Sequence, residues 1–145
     1  MRRNFGWLVG GFFGLAIAAN AQTPPSGPIG SQFDGTYAFV SASRVTETYR
    51  TTSGRMGQCG QIRRVGPLTV VNGQARYASG NGNIFDGSIG SGSQLAMRLA
   101  PRPGNKNSPG VEIGVNGRVE SDGTVTARQS GRFCAYDLVW RKQAK

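Results

Sequence analysis

The stretch Leu68-Thr69-Val70-Val71-Asn72-Gly73-Gln74-Ala75-Arg76-Tyr77 admits little other than a β-hairpin. Asn-Gly suits a two-residue turn, because both central positions of such a turn take positive φ. With Val71 paired to Gln74, Val70 stands opposite Ala75 and Leu68 opposite Tyr77, so these four make one apolar face. Thr69 and Arg76 then share the other face. A slip of one residue would turn every apolar side chain outward, so turn chemistry and hydrophobic alternation select the same register.

An internal repeat extends this pattern. Gly87-x-Ile89-x-Ser91-x(3)-Leu95-x(2)-Arg98 recurs thirty residues later as Gly117-x-Val119-x-Ser121-x(3)-Val125-x(2)-Arg128. A two-residue turn at Asp122-Gly123 would set Val119 opposite Thr126 and mix the faces. A three-residue loop, Ser121-Asp122-Gly123 with Gly123 left-handed, instead pairs Val119 with Val125 and Arg118 with Thr126. The same choice pairs Ile89 with Leu95. No stretch of the domain carries a helical period, whereas alternating segments recur about every ten residues. Strands are expected at 36–41, 44–50, 68–71, 74–79, 84–89, 94–99, 111–120, 124–129 and 133–141. The fold class is therefore all-β, an antiparallel up-and-down meander of about eight strands. Curling removes exposed edges, so a closed or nearly closed barrel is expected, with Gly87, Gly114 and Gly117 permitting the bends.

In the last strand Cys134, Tyr136, Leu138 and Trp140 share one face, and the two large rings mark it as the buried one. Cys134 and Cys59 are the two cysteines of the chain. No Cys-x-x-Cys spacing suggests a redox or zinc site, and in an oxidising compartment the two are expected to pair with each other; two separate buried thiols are the alternative.

That compartment is read from the start of the chain. Arg2 and Arg3 precede an apolar run from Phe5 to Ala18, and Ala19-Asn20-Ala21 is a small-x-small cleavage site. Residues 1–21 are expected to be a signal peptide. The apolar run falls short of the ~20 residues that cross a bilayer, so no stable membrane span is expected after cleavage. Arg2-Arg3-x-Phe5 also resembles the core of a twin-arginine signal, although ordinary export of an unfolded chain fits the short basic region better. Residues 22–32, with Thr23-Pro24-Pro25-Ser26-Gly27-Pro28, read as a flexible leader. A single domain is expected at 33–145, periplasmic or secreted.

The chain contains no histidine. That removes Ser-His-Asp and Cys-His hydrolases, histidine acid–base chemistry and the usual zinc sites. Neither catalytic residues nor a metal site nor a cofactor is assigned, and the domain is read as non-enzymatic. The glycines of Gly80-x-Gly82 and Gly90-x-Gly92 lack the strand–loop–helix setting of a phosphate-binding loop and read as turns.

The positive signal is charge. Lys and Arg number 17 against 7 Asp and Glu, giving a formal net charge of +10, with Arg2 and Arg3 belonging to the signal. By register, Arg76, Arg98, Arg118 and Arg128 oppose the apolar faces of their strands and form a candidate anion-binding stripe on the barrel exterior; scattered solubilising charge is the competing reading. Two basic loops are candidate contact sites: 53–64, with Arg55, Arg63 and Arg64 around Cys59, and 100–109, with Arg102 and Lys106. Arginine's planar fork suits phosphate and carboxylate, so anionic lipid, lipopolysaccharide or a cell-wall polymer is the expected partner class. The alternatives are a periplasmic protein–protein module, such as an inhibitor or envelope assembly factor, and a carrier of a small apolar ligand in the barrel cavity. Export disfavours nucleic acid.

Asp34-Gly35-Thr36-Tyr37 resembles the Gly-x-Trp opening of lipocalin and avidin-type (calycin) barrels, with Tyr37 in place of Trp. Trp140-Arg141 is similar to the end of those barrels, where a basic residue lies near the opening aromatic. The chain also resembles small exported bacterial β-barrel proteins of unassigned function, which share a Phe-Asp-Gly start and a cysteine near the C-terminal strand. The resemblance implies a barrel with an apolar cavity and carries over no ligand residue.

Overall fold

The computed structural model describes residues 29–100 and 112–144. The expected signal, residues 22–28 of the leader, and Arg102 and Lys106 lie outside the described residues. A single 3-10 turn, Ser31–Phe33, leads into β1 (Gly35–Arg44). Two short strands follow, β2 (Thr48–Arg50) and β3 (Met56–Gln58). The chain then runs through β4 (Leu68–Val71), β5 (Gln74–Ala78), β6 (Ile84–Ile89), β7 (Gln94–Leu99), β8 (Gly114–Val119), β9 (Thr124–Ser130) and β10 (Ala135–Lys142). β1 and β4 to β10 form a closed antiparallel barrel in which sequence neighbours are spatial neighbours and β10 returns to β1. β2 and β3 make a separate hairpin.

The registers follow from local chemistry. Val71 pairs with Gln74 and Val70 with Ala75 across the Asn72-Gly73 turn, whose φ values are 51° and 74°. Val119 pairs with Val125 and Arg118 with Thr126 around a three-residue loop with Gly123 at φ 80°. Ile89 pairs with Leu95, as the repeat requires. The two loops differ in one respect. Thirty residues before Gly123 stands Ser93, which adopts φ 67° despite its Cβ.

Alternation sends Tyr37, Leu68, Tyr77, Phe85, Leu95, Val115, Leu138 and Trp140 inward. The barrel axis is packed with rings: Tyr77 stacks on Phe85 at 4.8 Å and meets Trp140 at 5.1 Å, while Phe39 meets Trp140 edge-on at 6.1 Å. Burying each such side chain contributes about 1.5–3 kcal/mol. Gly87 and Gly117, equivalent in the repeat, make this packing possible. A Cβ at Gly87 would strike the backbone of Ala96 and Met97, and one at Gly117 that of Thr126 and Ala127.

The structure redraws the expected strand at 44–50 and the loop at 53–64. Arg44 ends β1, and a new hairpin is built from Tyr49 on β2 and Gly57 on β3, with the turn at 51–54 between them. The reason lies at the seam of the barrel. β1 pairs with β10 at seven positions but with β4 only at Gly35, Thr36 and Tyr37. Above those residues the gap is closed by a strap, residues 59–66. Three side chains of the barrel donate to strap carbonyls: Arg44 Nη1 to Cys59 (3.0 Å), Tyr136 Oη to Gly60 (2.8 Å) and Trp140 Nε1 to Gly66 (3.1 Å). Ile62 and Val65 of the strap pack against the core.

Candidate functional site

Alternating strand direction sorts every connection to one of two ends. At the first lie the tight turns 72–73, 90–93 and 121–123, crossed by residues 29–34. The Asp34 carboxylate accepts the backbone N–H groups of Asn72 (2.8 Å) and Gly73 (3.0 Å), and the Tyr37 hydroxyl donates to the Phe33 carbonyl (2.6 Å). The Lys142 ammonium sits 5.5 Å from the centre of the Tyr37 ring. The resemblance to calycin barrels pointed to Arg141 for this position. Pairing puts Lys142 opposite Tyr37 and Arg141 opposite the neighbouring Ala38, so the alternation of the strand assigns the contact to Lys142.

The second end carries the remaining connections, among them the long ones: 45–67, 79–83, 131–134 and the one between β7 and β8. Here Cys59 and Cys134 form a disulfide with Cα atoms 5.7 Å apart, joining positions separated by 75 residues. The disulfide holds the β2–β3 hairpin on the barrel. The Tyr49 ring covers Gly57, where a Cβ would collide with it, and stacks on Phe133 at 4.8 Å. The Cys59 amide donates to the Glu47 carbonyl (2.8 Å), tying the two hairpin ends together. Since Tyr49 and Gly57 face inward, alternation turns Thr48, Arg50, Met56 and Gln58 outward, and all four are exposed.

This second end collects the arginines. Arg50 and Arg55 belong to the hairpin, Arg63 and Arg64 to the strap, Arg44 to the end of β1 and Arg132 to the 131–134 connection, beside Phe133 at 5.1 Å from its ring centre. Among the described residues none of the six forms an ion pair. Glu47 and Glu112 lie in connections at this same end and form no ion pair among the described residues.

The wall arginines stand differently. Arg76, Arg98, Arg118 and Arg128 are all exposed on the barrel exterior, as their register required. They do not form one uninterrupted stripe. Arg76 binds Asp86 through two nitrogens (2.7 and 3.4 Å), and Asp86 lies between Arg76 and Arg98 in the ladder. Arg128 binds Asp137 likewise (2.8 and 3.1 Å), and this hydrogen-bonded guanidinium holds the Asp137 carboxyl below the usual carboxylate range. Arg118 lies 3.6 Å from Glu120. Arg98 alone of the four has no ion pair among the described residues.

Of the sequence-derived contact residues, Arg55, Arg63 and Arg64 thus meet at one end. Arg44, Arg50 and Arg132 join them unforeseen. The signal for the hairpin was present in Thr51-Thr52-Ser53-Gly54, a turn sequence with Gly54 at φ 82°, flanked by Tyr49-Arg50 and Arg55-Met56. The outer wall also bears a groove of about 660 Å³ beside Pro67, Val71, Ala78 and Ile84, with Arg76 and Asp86 in its lining. Inside the barrel, burial keeps the Tyr77 hydroxyl un-ionised well above the ordinary tyrosine range, and it donates to Gln129 Oε1 at 2.9 Å. Comparison with known protein families, with characterised proteins and with solved structures returned no match.

Proposed function

We propose that this protein is an exported, non-enzymatic binding module for an anionic component of the cell envelope, and that it binds through the disulfide-held end of the barrel. The observation that carries the reading is the separation of charge. Asp86, Glu120 and Asp137 are committed to wall arginines, and Asp34 and Asp122 accept backbone N–H groups near the tight turns. The six arginines at the other end form no ion pair among the described residues, and apart from the one Arg44 N–H given to the Cys59 carbonyl their guanidinium donors remain available for phosphate or carboxylate. The strap, the hairpin and the disulfide fix their backbones, which lowers the ordering cost of binding. Export is supported by the signal-like start of the chain and by a disulfide, which persists in oxidising compartments. The apolar-carrier reading draws no support from an axis filled by Tyr37, Tyr77, Phe85 and Trp140.

The test is binding of the oxidised protein to lipopolysaccharide, to a phosphate-rich cell-wall polymer and to dextran sulfate across a salt series. Affinity should fall steeply with salt. R63E/R64E should weaken it by an order of magnitude or more, at about 1 kcal/mol per charge near an anionic surface. R76E, at a wall position already neutralised, should change it little. Binding that ignores salt, or that is lost equally in R76E and R63E/R64E, overturns this assignment. Salt-insensitive capture of a single envelope protein would favour the protein–protein alternative.

A further inference from the structure

Resting on the proposed anion-binding reading, we infer that the natural target is the surface of an anionic phospholipid bilayer, and that the β2–β3 hairpin docks on it with Met56 entering the interface. The hairpin combines two features that a soluble polyanion would not require together. Its outward face sets Arg50 directly across the ladder from Met56, with Arg55 adjacent in the turn. Met56 is 63% exposed, and Val45, at the same end of the barrel, is 44% exposed. An unbranched thioether on the outward face of a two-stranded hairpin, flanked by guanidinium groups, matches the polarity gradient of a bilayer interface: the arginines meet headgroup phosphates while the thioether reaches the acyl boundary.

The hairpin is also anchored to take the load. Tyr49 stacks on Phe133, the Gly57 backbone lies under the Tyr49 ring, and Cys59, immediately after β3, is covalently joined to Cys134. An apolar side chain on a mobile loop would fold back onto the protein. On this clamp Met56 points away from it. The remaining arginines of that end, Arg44, Arg63, Arg64 and Arg132, add positive charge to the same rim. The opposite end also exposes apolar side chains, Ile29 and Val71, but neither has an arginine adjacent in sequence and Val71 faces Gln74 across the ladder, while its turns carry Asp122 and Glu120 beside Arg118.

The experiment places a tryptophan at each end in the oxidised, exported protein. Trp140 is fully buried and supplies a constant background. With vesicles of phosphatidylglycerol and phosphatidylcholine, M56W should shift to the blue and be quenched by brominated acyl chains. S91W, in the opposite β6–β7 turn, should do neither. M56S should weaken vesicle partition about tenfold without altering its salt dependence. R50S/R55S should weaken it about thirtyfold and flatten the salt dependence. Vesicle binding in which M56W stays unquenched, or S91W is quenched equally, overturns the docking face. Salt-dependent binding to dextran sulfate with none to vesicles overturns the bilayer as target but leaves the anion-binding reading standing. Binding to neither defeats the anion-binding reading itself.

Discussion

The two ends of this barrel are built by different means. The tight-turn end is built from local chemistry, a two-residue Asn-Gly turn and two three-residue loops, with a long-range tie from the Asp34 carboxylate that joins the chain entry to the first of them. The other end is held by long-range ties: a disulfide between positions 75 residues apart, an aromatic stack and three side-chain bonds to a strap. Charge follows the same division. Asp34, Asp86, Glu120, Asp122 and Asp137 serve the wall and the tight turns, whereas the six arginines of the other end form no ion pair among the described residues. An end fixed by local turns has little freedom to vary, whereas one fixed by a covalent clamp can carry side chains chosen for contact rather than for folding.

Breaking the clamp should have the largest effect. C59S/C134S removes a cross-link whose loop-closure term is about 4.5 kcal/mol in the chain-entropy account. Hydrogen exchange should rise first at residues 45–66 and leave the turn at 72–73 protected. Earlier exchange at 72–73 would show that the two ends are not separately held. Next in size is D34A, which leaves the amides of Asn72 and Gly73 without their charged acceptor and should cost about 2 kcal/mol in chemical denaturation. If D34A is silent, the entry segment does not hold the tight-turn end.

A smaller change should act in the stabilising direction. S93G relieves a left-handed non-glycine residue at the position where the repeat has Gly123, and should raise stability by about 1 kcal/mol. The converse G123S should lower it by a similar amount, and unequal responses would mean that the two loops are not equivalent. The smallest effect concerns the wall. Asp137 has a lowered native carboxyl pKa, so its stabilisation is complete above the unfolded value and disappears as pH falls through the native one. R128Q should return the Asp137 titration, followed by carboxyl-carbon NMR, to the ordinary range. Both groups are about half exposed, so the loss near neutral pH should stay within about 0.2–1 kcal/mol.

Much of this molecule was legible residue by residue. The face shared by Leu68, Val70, Ala75 and Tyr77, the partners of Val119 and Ile89, and the inward side of β10 all follow from turn chemistry and period-two alternation, because both act within a few residues. The pairing of Cys59 with Cys134 was readable from compartment logic alone. The wall positions of Arg76, Arg98, Arg118 and Arg128 were legible too, but their neutralisation was not. Arg128 and Asp137 are partners only because β9 and β10 register them side by side, and Asp86 separates Arg76 from Arg98 only across three strands.

The sequence by itself thus determined the all-β class, most of the strands, their faces and most of their registers, since each of these is decided by neighbours along the chain. Tertiary structure alone decided the short seam between β1 and β4, the strap that fills it, and the gathering of Arg44, Arg50, Arg55, Arg63, Arg64 and Arg132 at one end. The physical reason is closure. When the last strand meets the first, alternating strand direction sends every long connection to the same rim, and charges that look scattered along the chain become one surface.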